Sequence, residues 1–168
     1  DQEARAAWFD ALGQSEAESG RLFDLHKNLG NVFTRLGDFE SAEENYNKAF
    51  MLKPVSDVLQ VNYGTLFIQK GDYKSAMESY KHAIEICPFN DKAWCGVALV
   101  ARHQQDWEWS RSLVLKSLDI NPENELAISL LYNWSLEDAK YDEAINFLSE
   151  FLHHHPTRHD ASEMLAQL

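Results

Sequence analysis

Apolar residues recur along this chain at steps of three and four. Leu25, Leu29, Val32, Phe33 and Leu36 make one such run, and Phe39, Ala42, Tyr46 and Ala49 make the next. That spacing is the period of a helix with one buried face. Between the runs stands Gly37-Asp38, a glycine suited to the left-handed position past a helix end, then a residue able to cap the following helix. Pro54 stops the second helix. The pattern predicts a hairpin of helix A, a tight turn, helix B and a stop.

The hairpin then repeats. The stretch LGNVFTRLGDFESAEENYNKAFMLKP, Leu29 to Pro54, returns without a gap as YGTLFIQKGDYKSAMESYKHAIEICP, Tyr63 to Pro88. Gly30 falls on Gly64, Gly37 on Gly71, Ala42 on Ala76, Tyr46 on Tyr80, Ala49 on Ala83 and Pro54 on Pro88, each pair 34 residues apart. A fixed period of this length is the sequence sign of a solenoid array built from helix pairs. Two weaker copies stay in frame, one with Trp94, Val97-Ala98, Ser110, Val114, Ser117 and Pro122, the other with Ile128, Leu131, Ala144, Leu148 and Pro156.

These residues resemble the tetratricopeptide repeat, with its L-G, aromatic, A-x3-F and P positions. The resemblance covers roughly residues 23 to 158. It implies an all-α fold, a right-handed α-solenoid of antiparallel helix pairs with terminal capping helices. The expected units are residues 23–56, 57–90, 91–124 and 125–158, in a single domain 1–168 with no internal boundary. Gln105 and Ala139 stand where the first two units have turn glycines, at a cost of about 1 kcal/mol each if the left-handed conformation is kept. Tyr132 and Phe151 replace small residues of the fourth unit, so packing there must differ.

Residues 1–22 are expected to be a capping helix, with Ala6, Phe9, Trp8 and Leu12 available to pack inward, or else the second half of a truncated earlier repeat. Ser15 with Glu18 matches a capping box and would mark where the next helix begins. Residues 159–168 read as a C-terminal capping helix carrying Met164, Leu165 and Leu168. The chain starts at Asp1 without a methionine, so a processed product or a fragment is expected.

In tetratricopeptide arrays the A helices line a concave groove that commonly takes peptides. The resemblance places Asp24, Lys27, Asn31, Val58, Val61, Asn62, Thr65, Ile68, Lys92, Cys95, Leu99, Arg102, Leu126, Ser129, Asn133 and Leu136 on it. The charged members are three cations and one anion on a chain of net charge −12, a neutral-to-basic strip suited to a peptide with an apolar segment and an acidic group. Lys27, Asn31, Asn62 and Lys92 also resemble four elements of the dicarboxylate clamp of co-chaperone tetratricopeptide domains, which holds a free chain terminus. Gly96 stands where that clamp has an arginine, and Arg102, further along the same helix, is the residue placed to compensate.

Composition narrows the rest. A net charge of −12 repels a phosphate backbone, so nucleic acid is not an expected partner. No apolar run approaches the roughly 18 residues of a membrane span, so no membrane insertion is expected. Cys87 and Cys95 form neither a disulfide framework nor a metal-ligand spacing. Free thiols favour a reducing compartment, and a cytoplasmic location is expected. His153, His154 and His155 are consecutive on a helix, about 100° apart, and read as a helix end tolerant of cations rather than a metal site. No nucleophile motif, phosphate loop or acid/base pair is present, so no catalysis and no cofactor are expected. The functional expectation is a protein-interaction adaptor that captures a peptide. The alternatives are a self-assembling or scaffolding module with Trp107 and Trp109 in its interface, and a regulatory domain of a larger protein.

Overall fold

The computed structural model describes the backbone of residues 2–168 and the side chains of residues 13–168. Among the described residues the chain is all helix and turn: α1 (Gln2–Leu36), α2 (Phe39–Leu52), α3 (Asp57–Lys70), α4 (Tyr73–Ile86), α5 (Asp91–His103), α6 (Trp107–Ile120), α7 (Glu125–Asp138), α8 (Asp142–His154) and α9 (His159–Gln167). Where the sequence suggested one domain, the chain divides into two compact units, residues 1–88 and 89–168.

The helix boundaries follow the 34-residue period because the capping residues do. Asp38, Asp72 and Asp106 accept from the backbone N–H groups of Ser41, Ser75 and Trp109, so each B helix starts on the same side-chain cap. Ser56, Asn90 and Asn124 do the same for α3, α5 and α7. The next members of the two series are Lys140 and Arg158, which cannot accept, and α8 and α9 begin without a side-chain cap.

The turns keep one backbone shape whatever residue occupies them. Gly37 and Gly71 have φ of 77° and 78°, and Gln105 and Ala139 hold the same left-handed region at 63° and 53°. An alanine there carries a Cβ penalty that glycine lacks. Ala139→Gly is therefore expected to stabilise the second unit by about 1 kcal/mol, read as a rise in its urea midpoint; no rise would mean that the turn relaxes around the methyl group.

Within the first unit, α1 packs on α2 and α3 on α4 through a glycine–tyrosine crossing. Tyr46 and Tyr80 press against Gly30 and Gly64, and a Cβ added at Gly64 would sit 2.6 Å from the Tyr80 ring. Ala42, Tyr46, Ala49, Leu59 and Leu66 form the sealed core, with Phe23 at its edge. In the second unit Ala98 and Val114 take the corresponding positions of α5 and α6 and are fully buried. The fourth pair departs from this. With Tyr132 and Phe151 at the small positions, α7 and α8 make few contacts with each other; α7 leans on α6, α8 on α9, and the Tyr132 hydroxyl donates to Gln167 of α9. Ala161 of α9 is buried, as a capping helix requires.

Two expectations about the N-terminal part are corrected. α1 runs unbroken through Ser15, so the capping-box pair Ser15 and Glu18 starts no helix. The stripe on α1 is not buried throughout: Leu25, Val32 and Leu36 are 51%, 41% and 73% exposed. The expected inward packing of Ala6, Trp8, Phe9 and Leu12 lies outside the described residues.

Candidate functional site

The positions expected to line a groove fall in both units. In the first unit they lie on α1 and α3, which touch each other. Asn31 is the best fixed of them. The buried Tyr46 hydroxyl donates to Asn31 Oδ1 at 2.8 Å, while Thr34 Oγ1, 3.2 Å from that hydroxyl, donates to the Gly30 carbonyl. With its oxygen engaged from below, the Asn31 amide presents its Nδ2 donors away from the core. One repeat later Thr65 Oγ1 meets the Tyr80 hydroxyl at 3.2 Å, the same tyrosine reaching the same helix position.

Lys27, one turn before Asn31, is tied down locally. Its ammonium lies 2.6 Å from Asp24 and 5.4 Å from the centre of the Phe23 ring, and its side chain is only 19% exposed. On α3, Val58 is exposed and Val61 is buried. Asn62 has its Nδ2 buried without an acceptor among the described residues. Ile68 is half-buried.

The positions in the second unit divide into exposed and structural ones. Lys92 and Asn133 are exposed, as are Leu126 and Leu136, while Leu99 and Ser129 are half-buried. Cys95 is sealed in the core, contrary to its expected place on a groove wall. Its thiol donates to Ser117 Oγ at 3.2 Å, Ser117 donates in turn to the Asp91 carbonyl at 2.9 Å, and burial pushes the thiol pKa up to about 11. A thiol so held is inert as a nucleophile.

Arg102 is the second correction. Nη1 and Nη2 donate to the two oxygens of Asp138, both at 2.8 Å, and Nη2 also donates to Glu137 at 2.7 Å. The guanidinium lies 4.4 Å from the Trp107 ring centre and 4.9 Å from that of Trp134. Arg111, 5% exposed, shares Asp138 at 2.7 Å, and its Nε sits 3.3 Å from Glu143 without hydrogen-bond alignment. The hydrogen bond from Arg102 holds the Asp138 carboxyl below the usual carboxylate range. Arg102 is thus a structural cation and does not replace the arginine absent at the buried Gly96. With Lys27 on Asp24 and Arg102 on two carboxylates, Lys92 is the exposed cation of the expected set, and the basic strip read from composition is largely neutralised.

Sequence reasoning missed the Arg102–Asp138–Arg111 cluster. Its signal was available: two arginines and two tryptophans beside turn positions without glycine, near a unit rich in acids. Elsewhere in the second unit Leu118, Pro122, Phe147, Phe151, His154 and His155 line a cleft of 330 Å3 between α6 and α8. His155 stacks on Phe151 at 4.5 Å between ring centres. The described residues hold no cluster of three or more His, Cys, Asp or Glu able to bind a metal, and no described helix is long and apolar enough to cross a membrane.

The tetratricopeptide-repeat family model matches residues 25–56 and 59–90. No curated protein matches the chain. Among solved structures, the chain is similar to Pseudomonas aeruginosa pilF (19% identity, 89% of this chain and 68% of that one, TM-score 0.71). It is also similar to the second TPR domain of human RPAP3 in complex with the HSP70 peptide SGPTIEEVD (19% identity, 70% and 98% coverage, TM-score 0.59). The first TPR of Spaghetti (RPAP3), bound to the HSP90 peptide SRMEEVD, aligns at 20% identity over 71% of this chain and 95% of that one, TM-score 0.61. These likenesses carry the fold. Residues 25–56 and 59–90 of the first unit are thus matched as tetratricopeptide repeats, and the neighbours show that the chain has the fold of tetratricopeptide-repeat proteins.

Proposed function

We propose that this chain is a non-catalytic interaction module that binds an acidic peptide, with a free C-terminal carboxylate as the preferred group, along α1 and α3. Lys27, Asn31, Asn62 and Thr65 supply the polar contacts, and Val58 takes an apolar side chain. The observation that carries this reading is the Tyr46–Asn31 hydrogen bond, which orients an amide donor before any ligand arrives. The family's fold is a protein–protein interaction module, and two structural neighbours are bound to peptides ending in Glu-Glu-Val-Asp. On the second unit, taken by itself, Lys92, Leu99 and Asn133 are the corresponding contact positions. A full two-carboxylate clamp is not part of the proposal, because Gly96 brings no cation and Arg102 is committed elsewhere. Asp24 competes with a ligand for Lys27, which favours modest affinity.

The test is calorimetric titration with SRMEEVD carrying a free or an amidated C-terminus. The free form is expected to bind more tightly, and Asn31→Ala or Lys27→Ala to weaken it about tenfold or more, the worth of one hydrogen bond to a charged group. Equal affinity of wild type and both variants would sink the α1–α3 site; failure of both peptide forms to bind would remove the carboxylate preference altogether.

A further inference from the structure

Among the described residues the apolar stripe on α1 has no helix packed over it, yet its counterpart one repeat later has one. Leu25 and Val32 correspond at 34 residues to Leu59 and Leu66. Leu59 and Leu66 are fully buried in the cluster with Ala42, Tyr46 and Ala49, whereas Leu25 and Val32 are 51% and 41% exposed. The same helix face that accepts a helix on α3 is therefore uncovered on α1. Leu22, at 41%, and Leu36, at 73%, continue it.

The stripe is self-complementary. Leu22, Leu25, Leu29, Val32 and Leu36 alternate steps of three and four, the seam of a two-helix coiled coil. The next seam position toward the N-terminus is Glu18, and Arg35 flanks the other end. A parallel pair of α1 helices would set Glu18 against Glu18 of the other copy. An antiparallel pair sets Leu22 against Val32 and Leu25 against Leu29, and it brings each Glu18 beside Arg35 of the other copy. Stacking of one copy's last helix pair on this face is disfavoured, because α9 already covers α8 and buries Ala161.

We propose that the α1 stripe is the interface of a two-fold homodimer, two copies pairing α1 antiparallel through Leu22, Leu25, Leu29 and Val32 with Glu18–Arg35 ion pairs at both ends. The contact is isologous, so it closes at two copies and forms no filament. Each copy carries a net charge of −12, so association strengthens as salt screens the repulsion.

Sedimentation equilibrium of the whole chain over a range of concentrations reads this directly. The wild type is expected at twice the chain mass, with Leu25→Glu and Val32→Glu each raising the dissociation constant at least about tenfold. Met51→Glu, at a site 80% exposed on α2, leaves the dimer intact. Arg35→Glu weakens association and Glu18→Arg in the same chain restores it, a recovery that only cross-dimer contact between these two residues produces. Circular-dichroism melts show that the variants remain folded, which is expected because every substituted site is exposed. A chain that stays monomeric at all concentrations overturns the proposal and leaves the stripe to a helix from another protein. A dimer that survives both glutamates overturns it in favour of another face, such as Trp107 and Trp109.

Discussion

Asp138→Ala is expected to destabilise residues 89–168 by about 3–5 kcal/mol, the cost of leaving buried charges without their partner. Among the described residues Asp138 is the carboxylate that Arg102 and Arg111 share, and the Arg111 side chain is only 6% exposed. After the substitution Arg102 keeps Glu137, but Arg111 keeps only a misaligned Glu143 at 3.3 Å. Glu137→Ala, removing a carboxylate whose side chain is 62% exposed, is expected to cost under about 1 kcal/mol. Four of the five tryptophans, Trp94, Trp107, Trp109 and Trp134, lie in this unit, so urea unfolding followed by their fluorescence reports on it.

Acid should act through the same carboxylate. The folded pKa of Asp138 is lowered, chiefly by the hydrogen bond from Arg102. Its contribution is therefore complete above the unfolded value near 4 and is lost as pH falls through the lower folded value. The variant should show a flatter acid limb than the wild type. A loss below about 1 kcal/mol, with the acid limb unchanged, would mean that water rather than Asp138 balances the two arginines.

Why the first unit was more legible than the second follows from where the information sits. Gly30, Gly37, Asp38, Ala42, Tyr46 and Pro54 each act on neighbours within their own hairpin, and their return after 34 residues carries the hairpin with them. The opening of α7 from α8 was also readable, since a tyrosine and a phenylalanine cannot occupy crossing positions sized for glycine and alanine. Ser15 and Glu18 misled because a capping box is a local preference of about 1 kcal/mol, and the alanines, glutamates and glutamine around it favour an uninterrupted helix. Arg102 and Cys95 misled for another reason. Their assignments came from helix register alone, and register does not reveal that Asp138 lies within reach of one or that Ser117 and Asn124 close over the other. The exposure of Leu25 and Val32 was hidden likewise: apolar spacing identifies a face made for packing, and only the folded chain shows whether anything covers it.

Tyr46→Ala should cost the first unit about 3–5 kcal/mol, the usual range for emptying a large aromatic site in a core. The ring is 1% exposed, rests on Gly30, and lies 5.2 Å from the Tyr63 ring centre. Gly30 cannot fill the space, and α1 is held off α2 at the width the ring sets. Tyr46→Phe separates packing from chemistry. It keeps the ring and removes only the hydroxyl, so its cost is expected near 1 kcal/mol. The hydroxyl is also what fixes the Asn31 amide at 2.8 Å. Tyr46→Phe should therefore weaken the free-carboxylate peptide several-fold while leaving the fold nearly as stable, and Tyr80→Phe, whose hydroxyl meets Thr65 instead, should weaken it less. Binding by Tyr46→Phe equal to wild type would show that Asn31 needs no support from below. The tyrosine would then belong to the scaffold alone, and the polar contacts of the α1–α3 surface would have to be sought in Lys27 and Asn62.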